Sequence, residues 1–213
     1  KGAVVGKSVL VYPGNSEAVI TFNSPPDGGM ISWDDMVQYQ ITVSDPEDGT
    51  TANGSINCRD VNFVPAFGHL SHSHDGITVN QCSGSFHLDP TSHDAQGQDD
   101  IYYVFKVNYT DNNGLTSFGQ ITVHPKIMEA EFYDAQNNTV LVGNTDVLGG
   151  GISSVRALSD NSYIMLDGRN LQNISSVSYR VATAVGGVIE VHADSPTGPL
   201  LSTINLPITG ATD

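Results

Sequence analysis

The sequence predicts an all-β protein built as two tandem antiparallel β-sandwiches. Three observations carry the prediction: short runs of alternating apolar and polar residues, turn-forming clusters between them, and no stretch of helical period. A strand with one buried face alternates because successive side chains point to opposite sides of the sheet. Composition agrees, since 22 glycines and only 8 Lys+Arg in 213 residues disfavour long helices.

The elements follow in chain order. Residues 4–12 are apolar and β-branched, and are expected to be either a first strand or a segment donated to a neighbouring molecule. Ser24-Pro25-Pro26-Asp27-Gly28-Gly29 is a turn. In 37–43 every odd position is apolar and every even one polar, and Asp45-Pro46-Glu47-Asp48-Gly49 turns the chain. The run 101–109 puts Ile101, Tyr103, Phe105, Val107 and Tyr109 on one face and leaves Asn108 on the other, facing solvent. After the turn Asp111-Asn112-Asn113-Gly114 comes a strand at 118–123. His124-Pro125-Lys126 ends it, because proline cannot donate to a central ladder. The second unit opens with a strand at 127–133, and its stripes are Val177/Tyr179/Val181, with Tyr179 in the core, and Ile189/Val191/Ala193. Gly149-Gly150-Gly151 and Asp194-Ser195-Pro196-Thr197-Gly198-Pro199 are its turns. The expected division is 1–13, an N-terminal segment or strand; 14–125, the first sandwich; and 126–213, a second sandwich read as incomplete at its C-terminal side.

Charge excludes whole classes of partner. With 23 Asp+Glu against 8 Lys+Arg the formal net charge is −15, which opposes nucleic acid and anionic membrane surfaces. No apolar stretch approaches the roughly 20 residues of a membrane span, so membrane insertion is not expected. Cys58 and Cys82 are the only two cysteines, either two separate buried thiols or one disulfide. A disulfide between them would be worth about 3 kcal/mol through loop entropy. Asn53, Asn108, Asn137 and Asn173 begin Asn-X-Ser/Thr sequons and are candidate glycosylation sites. Cysteines and sequons together favour an oxidising, extracellular setting, secreted or at the cell surface.

Certain stretches match known families. Val43-Ser44-Asp45-Pro46-Glu47-Asp48-Gly49, His69 to His74, Ser83-Gly84-Ser85-Phe86 and Thr110-Asp111-Asn112-Asn113-Gly114-Leu115-Thr116 carry the first resemblance. They make the first unit similar to the immunoglobulin-like, polycystic-kidney-disease-type (PKD) domain of secreted glucose/sorbosone dehydrogenase-type proteins. Glu129-Ala130-Glu131-Phe132-Tyr133, Tyr179-Arg180-Val181-Ala182, Gly187-Val188-Ile189-Glu190-Val191 and Asp194 to Leu200 carry the second. The second unit thereby resembles a family 6 carbohydrate-binding module, which implies a jelly roll, a polysaccharide or glycan ligand and a structural calcium near the first strand. The resemblance departs after Gly151, where 152–158 lack the aromatic on which that family stacks a sugar ring.

Four sets of residues are candidates for chemistry. Glu129 and Glu131, two apart on the expected strand, would hold Ca2+ together with Asp146. Asp45, Glu47, Asp48 and Asp111 offer a second calcium set, or simply turn formers. His69, His72, His74, His87 and His93 form a dense histidine group. His72 and His74 are expected to point to opposite faces if they lie on a strand, and the group is read as a polar loop near the disulfide rather than a metal site. Tyr163 is the candidate sugar-binding aromatic, and the lone Trp33 is assigned to the core. No GxSxG elbow, HExxH or P-loop occurs, and the acid pairs Asp34-Asp35 and Asp99-Asp100 sit in turns, so no enzyme is expected. Two functions follow as expectations. One is a non-catalytic carbohydrate-binding or accessory region of a secreted carbohydrate-active protein. The other is a structural or adhesive subunit of an extracellular filament, joined to copies of itself through edge strands.

Overall fold

The computed structural model describes residue 11 and residues 13–88, 100–146 and 150–210; His93, Asp99 and all of 4–12 except Val11 lie outside them. The chain is all-β, as its alternation predicts. One sheet has five strands in the order β2 (Met30–Ile31), β9 (Thr116–Pro125), β8 (Ile101–Thr110), β5 (Val61–His69) and β6 (His72–Asp75). The other joins β1 (Val19–Ser24), β3 (Met36–Asp45) and β4 (Gly49–Thr50), and β7 (Ser83–His87) also pairs with β3.

Alternation becomes burial in β3, where Val37, Tyr39, Ile41 and Val43 face inward. The inner faces meet through aromatic rings. Tyr39 of β3 stacks on Phe63 of β5 with centroids 4.1 Å apart, and Phe63 meets Phe105 of β8 edge-on at 5.3 Å. Trp33 packs on Phe67 and Tyr103 at 6.2 and 5.8 Å, in line with its assignment to the core. Cys58 and Cys82 form a disulfide with Cα atoms 5.2 Å apart; Cys58 leads into β5 and Cys82 into β7, so the bridge ties one sheet to the other.

One pairing is not antiparallel. β2 runs parallel to β9, with Met30 opposite His124 and Ile31 opposite Pro125. The preceding turn causes this, since the Gly28 N–H donates to the Thr122 carbonyl and the His124 N–H to the Gly29 carbonyl, laying the chain alongside β9.

The later strands form three separate two-stranded ladders. β10 (Ala135–Asn137) pairs with β13 (Tyr163–Met165), enclosing the pair β11 (Thr139–Gly143) and β12 (Ser153–Ala157), and β14 (Gly187–His192) pairs with β15 (Leu200–Leu206). Two sequence expectations fail here. Residues 130–132 form a short helical turn instead of a strand, in keeping with the helical preference of Glu and Ala. The Val177/Tyr179/Val181 stripe has no ladder partner among the described residues, and its side chains are 36–51% exposed, so Tyr179 is not core. Among the described residues from 126 to 210 none is buried; the buried core of the described residues comes from the first nine strands and the segments between them.

The two parts of the chain touch at β9. The Asn170 N–H donates to the Gly28 carbonyl, and His124, only 9% exposed, lies near Arg169 and Asp134. Burial first, and then the Arg169 guanidinium, push the His124 imidazole down to about 4 against the opposing pull of Asp134 and Asp27. An unfolded histidine titrates near about 6.5, so between those values the unfolded chain binds the extra proton. Stability is therefore expected to fall as pH drops from about 6.5 toward about 4. Urea unfolding at about pH 7.5 and about pH 5 checks this, and His124→Gln should flatten the difference.

Candidate functional site

Acidic residues gather at one end of the first sandwich. Asp45, 3% exposed, accepts the N–H groups of Glu47 and Asp48 at 2.9 and 2.7 Å. Asp48 accepts the Tyr109 hydroxyl at 2.7 Å and the Asn112 N–H and side-chain amide at 2.9 and 2.8 Å. Those bonds, the tyrosine's foremost, hold the Asp48 carboxyl below its ordinary value, while burial and Asp48 push the Tyr109 phenol up. Desolvation opposes ionisation of Asp111, but donors from Leu115, Asn15, Asn113 and Gly114 outweigh it and its pKa is lowered. Glu47 accepts the Ser16 hydroxyl at 3.1 Å. Through the Asn112 N–H bond to Asp48 this group ties together two loops 64 residues apart in sequence, while the buried Asp45 Oδ2 has no hydrogen-bond partner.

A second acidic group forms in the later part. Glu129 precedes the short turn and Glu131 lies within it, yet both carboxylates reach the glycine loop: Glu129 lies against Gly150 and Glu131 against Gly151. Glu131 Oε1 accepts the N–H groups of Ile152 and Ser153 at 3.0 and 3.1 Å. Gly151 has φ +70 and its Cα faces the carboxylate, so a side chain fits neither the backbone nor the space. Burial, then the charge of Glu131, raise the Glu129 carboxyl. Asp146 does not join them; the Arg180 guanidinium pairs with it, with Nε 2.7 Å from Oδ2.

That arrangement, two glutamates closing on a glycine loop ahead of a β14–β15 hairpin, lies in the stretch that is similar to a known family. Residues 129–213 match the carbohydrate binding module (family 6). No curated protein and no solved structure matches the chain. A carbohydrate binding module is non-catalytic by itself. The aromatic side chains of the family 6 region divide by exposure. Phe132 and Tyr133 are half-buried beside the short turn, Tyr163 is 36% exposed on β13 opposite Asn137, and Tyr179 is 43% exposed. Tyr179, expected inside, is exposed.

The sequon asparagines are placed differently from one another. Asn53, Asn137 and Asn173 are exposed. Asn108 is half-buried rather than open to solvent: β8 is a central strand, and the Asn108 side-chain oxygen accepts from Asn62 at 2.8 Å. Along the same outer face Phe118 is 79% exposed, an aromatic outside the family 6 region.

The histidines depart furthest from expectation. His69 ends β5 and His72 and His74 lie on β6, so they form a hairpin instead of a polar loop. Residues two apart on a strand share a face, so His72 and His74 point the same way, contrary to the sequence reading. They also sit at the far end of β5 from Cys58, about 26 Å along the strand at 3.3 Å per residue, not beside the disulfide. One ring nitrogen from each of His69, His72 and His74 lies within 4.8 Å of the others. His87 is apart from them, 2.9 Å from Asp34.

Proposed function

We propose that this chain is a non-catalytic, extracellular accessory region of a secreted carbohydrate-active protein, and that residues 126–213 bind a polysaccharide or glycan. The observation that carries the reading is the family 6 match over 129–213. Within it Tyr163 and Tyr179 are the residues that would stack on the apolar face of a sugar ring, with the phenol left free to hydrogen bond. The disulfide supports an oxidising compartment, and among the described residues no helix is long and apolar enough to cross a membrane. The first unit, 14–125, would serve as an immunoglobulin-like spacer of the PKD type.

Calcium belongs to the same proposal. Glu129 and Glu131 are two carboxylates brought to one loop, and the raised pKa of Glu129 is relieved by any cation placed between them. Bound calcium would fix the glycine loop at 150–151. Asp146, already paired with Arg180, is left out of this set.

The reading is tested by retention of the full chain on immobilised or gel-embedded polysaccharides. Tyr163→Ala or Tyr179→Ala should weaken the binding that is found by about 2 kcal/mol, roughly thirtyfold, as loss of an aromatic anchor does. Phe118→Ala should leave it unchanged.

A second reading rests on a specific observation: Val140, Leu141, Ile152, Leu200 and Leu201 are 40–64% exposed, in a stretch where no described residue is buried. Self-association through edge strands would cover such surface. Light scattering separates the two, because assembly requires a mass above 22.6 kDa that survives dilution.

A further inference from the structure

We propose that His69, His72 and His74 form a binding site for a late first-row transition-metal dication, Zn2+ or Cu2+, on the rim of the first sandwich.

The site is a product of strand register. His69 and His72 face each other directly across the β5–β6 hairpin, and His74 is the diagonal neighbour of His69, opposite Phe67. Directly opposed residues share a face, and diagonal neighbours stay within reach of long side chains. Three imidazoles thus converge from a His-x-x-His-x-His run closed by the two-residue turn Leu70-Ser71. The turn is held from outside, since the Leu70 N–H donates to the Asp100 carbonyl at 2.8 Å, and Leu70 occupies the left-handed region at φ 51.

The distances suit a metal site. The Nε2 atoms of His69 and His74 are 3.2 Å apart. In a tetrahedral site with metal–nitrogen bonds near 2.05 Å, ligand atoms lie about 3.3 Å from one another. All three donor nitrogens already fall within 4.8 Å, and His72 and His74 are exposed on an edge strand. Imidazole nitrogens select zinc, copper and nickel over calcium or magnesium. The chain's net charge of −15 further favours a cation.

The inner face fixes the chemistry of the open side. The histidines continue the row of Phe67 and Tyr103, beyond the point where the aromatic core ends, and His74 and Phe67 line a shallow cleft with Phe86 and Tyr103. Three protein ligands leave at least one coordination position, open toward solvent, for water or for an oxygen or nitrogen donor of a partner.

The test uses the untagged full chain. Zn2+ binding is followed by competition with a chromophoric chelator, and Co2+ is added as a spectroscopic probe of tetrahedral nitrogen coordination. One equivalent of Zn2+ is expected, with His72→Ala and His74→Gln each weakening it by at least about tenfold, since even residues behind the ligands cost that much. His87→Ala and His192→Ala should bind as the parent does. Both exposed variants should keep the metal-free circular dichroism and unfolding midpoint, which separates ligand loss from misfolding. The proposal is overturned if no stoichiometric Zn2+ or Cu2+ binds. It is equally overturned if binding survives the His72→Ala/His74→Gln double change, or if His87→Ala or His192→Ala abolishes it.

Discussion

Phe63→Ala is expected to destabilise the first sandwich by about 3–5 kcal/mol, the cost of a large cavity in a core that cannot collapse around it. Phe63 is fully buried and touches both sheets, stacked on Tyr39 at 4.1 Å and edge-on to Phe105 at 5.3 Å. Deleting it removes ring–ring contacts to a strand of each layer. Domains of this size hold only about 5–15 kcal/mol in total, so the variant stands near its unfolding threshold. The same truncation beyond residue 126 should behave differently. Leu141 is 45% exposed, and Leu141→Ala should stay within about 0.5 kcal/mol. Trp33, the only tryptophan, packs against Phe67 and Tyr103, so its fluorescence in urea reports the sandwich directly. Equal costs at Phe63 and Leu141 would contradict the placement of the buried core before residue 126.

Loss of the disulfide is the second large effect. Cys58 and Cys82 are separated by 24 positions, and closing such a loop restricts the unfolded chain by about 3 kcal/mol. The bridge also joins the entry of β5 to the entry of β7, one strand in each sheet, so it resists separation of the layers. The Cys58→Ser/Cys82→Ser chain should therefore unfold at lower urea, by about 1–3 M for slopes of about 1–3 kcal/mol/M. Dithiothreitol should move the parent to the same midpoint and leave the double variant unchanged. A shift that appears in the variant but not on reduction would locate the loss in serine substitution rather than in the cross-link.

How much of this was legible in the sequence depended on how local the cause was. β3, β8 and β9 follow directly from alternation, because a half-buried strand writes its burial into every second residue. β2 carries only two residues and runs parallel, a pairing set by the Gly28 and Gly29 backbone contacts that no pattern records. The Val177/Tyr179/Val181 stripe has the right period, but alternation states only that a segment is amphipathic, not that a sheet accepts it. At the sites, Glu129 and Glu131 were legible as a pair, while the Arg180–Asp146 contact that removes Asp146 spans 34 residues. Asp48 shows the same limit, since its partners Tyr109 and Asn112 lie 61 and 64 positions away in sequence. The histidine hairpin was missed for two reasons. Positions two apart on a strand share a face, against the expectation for His72 and His74, and Leu70-Ser71 is not one of the Asn-Gly or Asp-Gly turns that announce a hairpin.

The central claim, that residues 126–213 bind carbohydrate, is tested most directly by affinity electrophoresis of the full chain through gels carrying a panel of neutral and acidic polysaccharides. Parent, Tyr163→Ala, Tyr179→Ala and Phe118→Ala chains run side by side. The account predicts retardation of the parent by at least one polysaccharide, a matching loss in Tyr163→Ala or Tyr179→Ala, and none in Phe118→Ala. Free migration of the parent in every gel would contradict it, as would retardation that only Phe118→Ala abolishes.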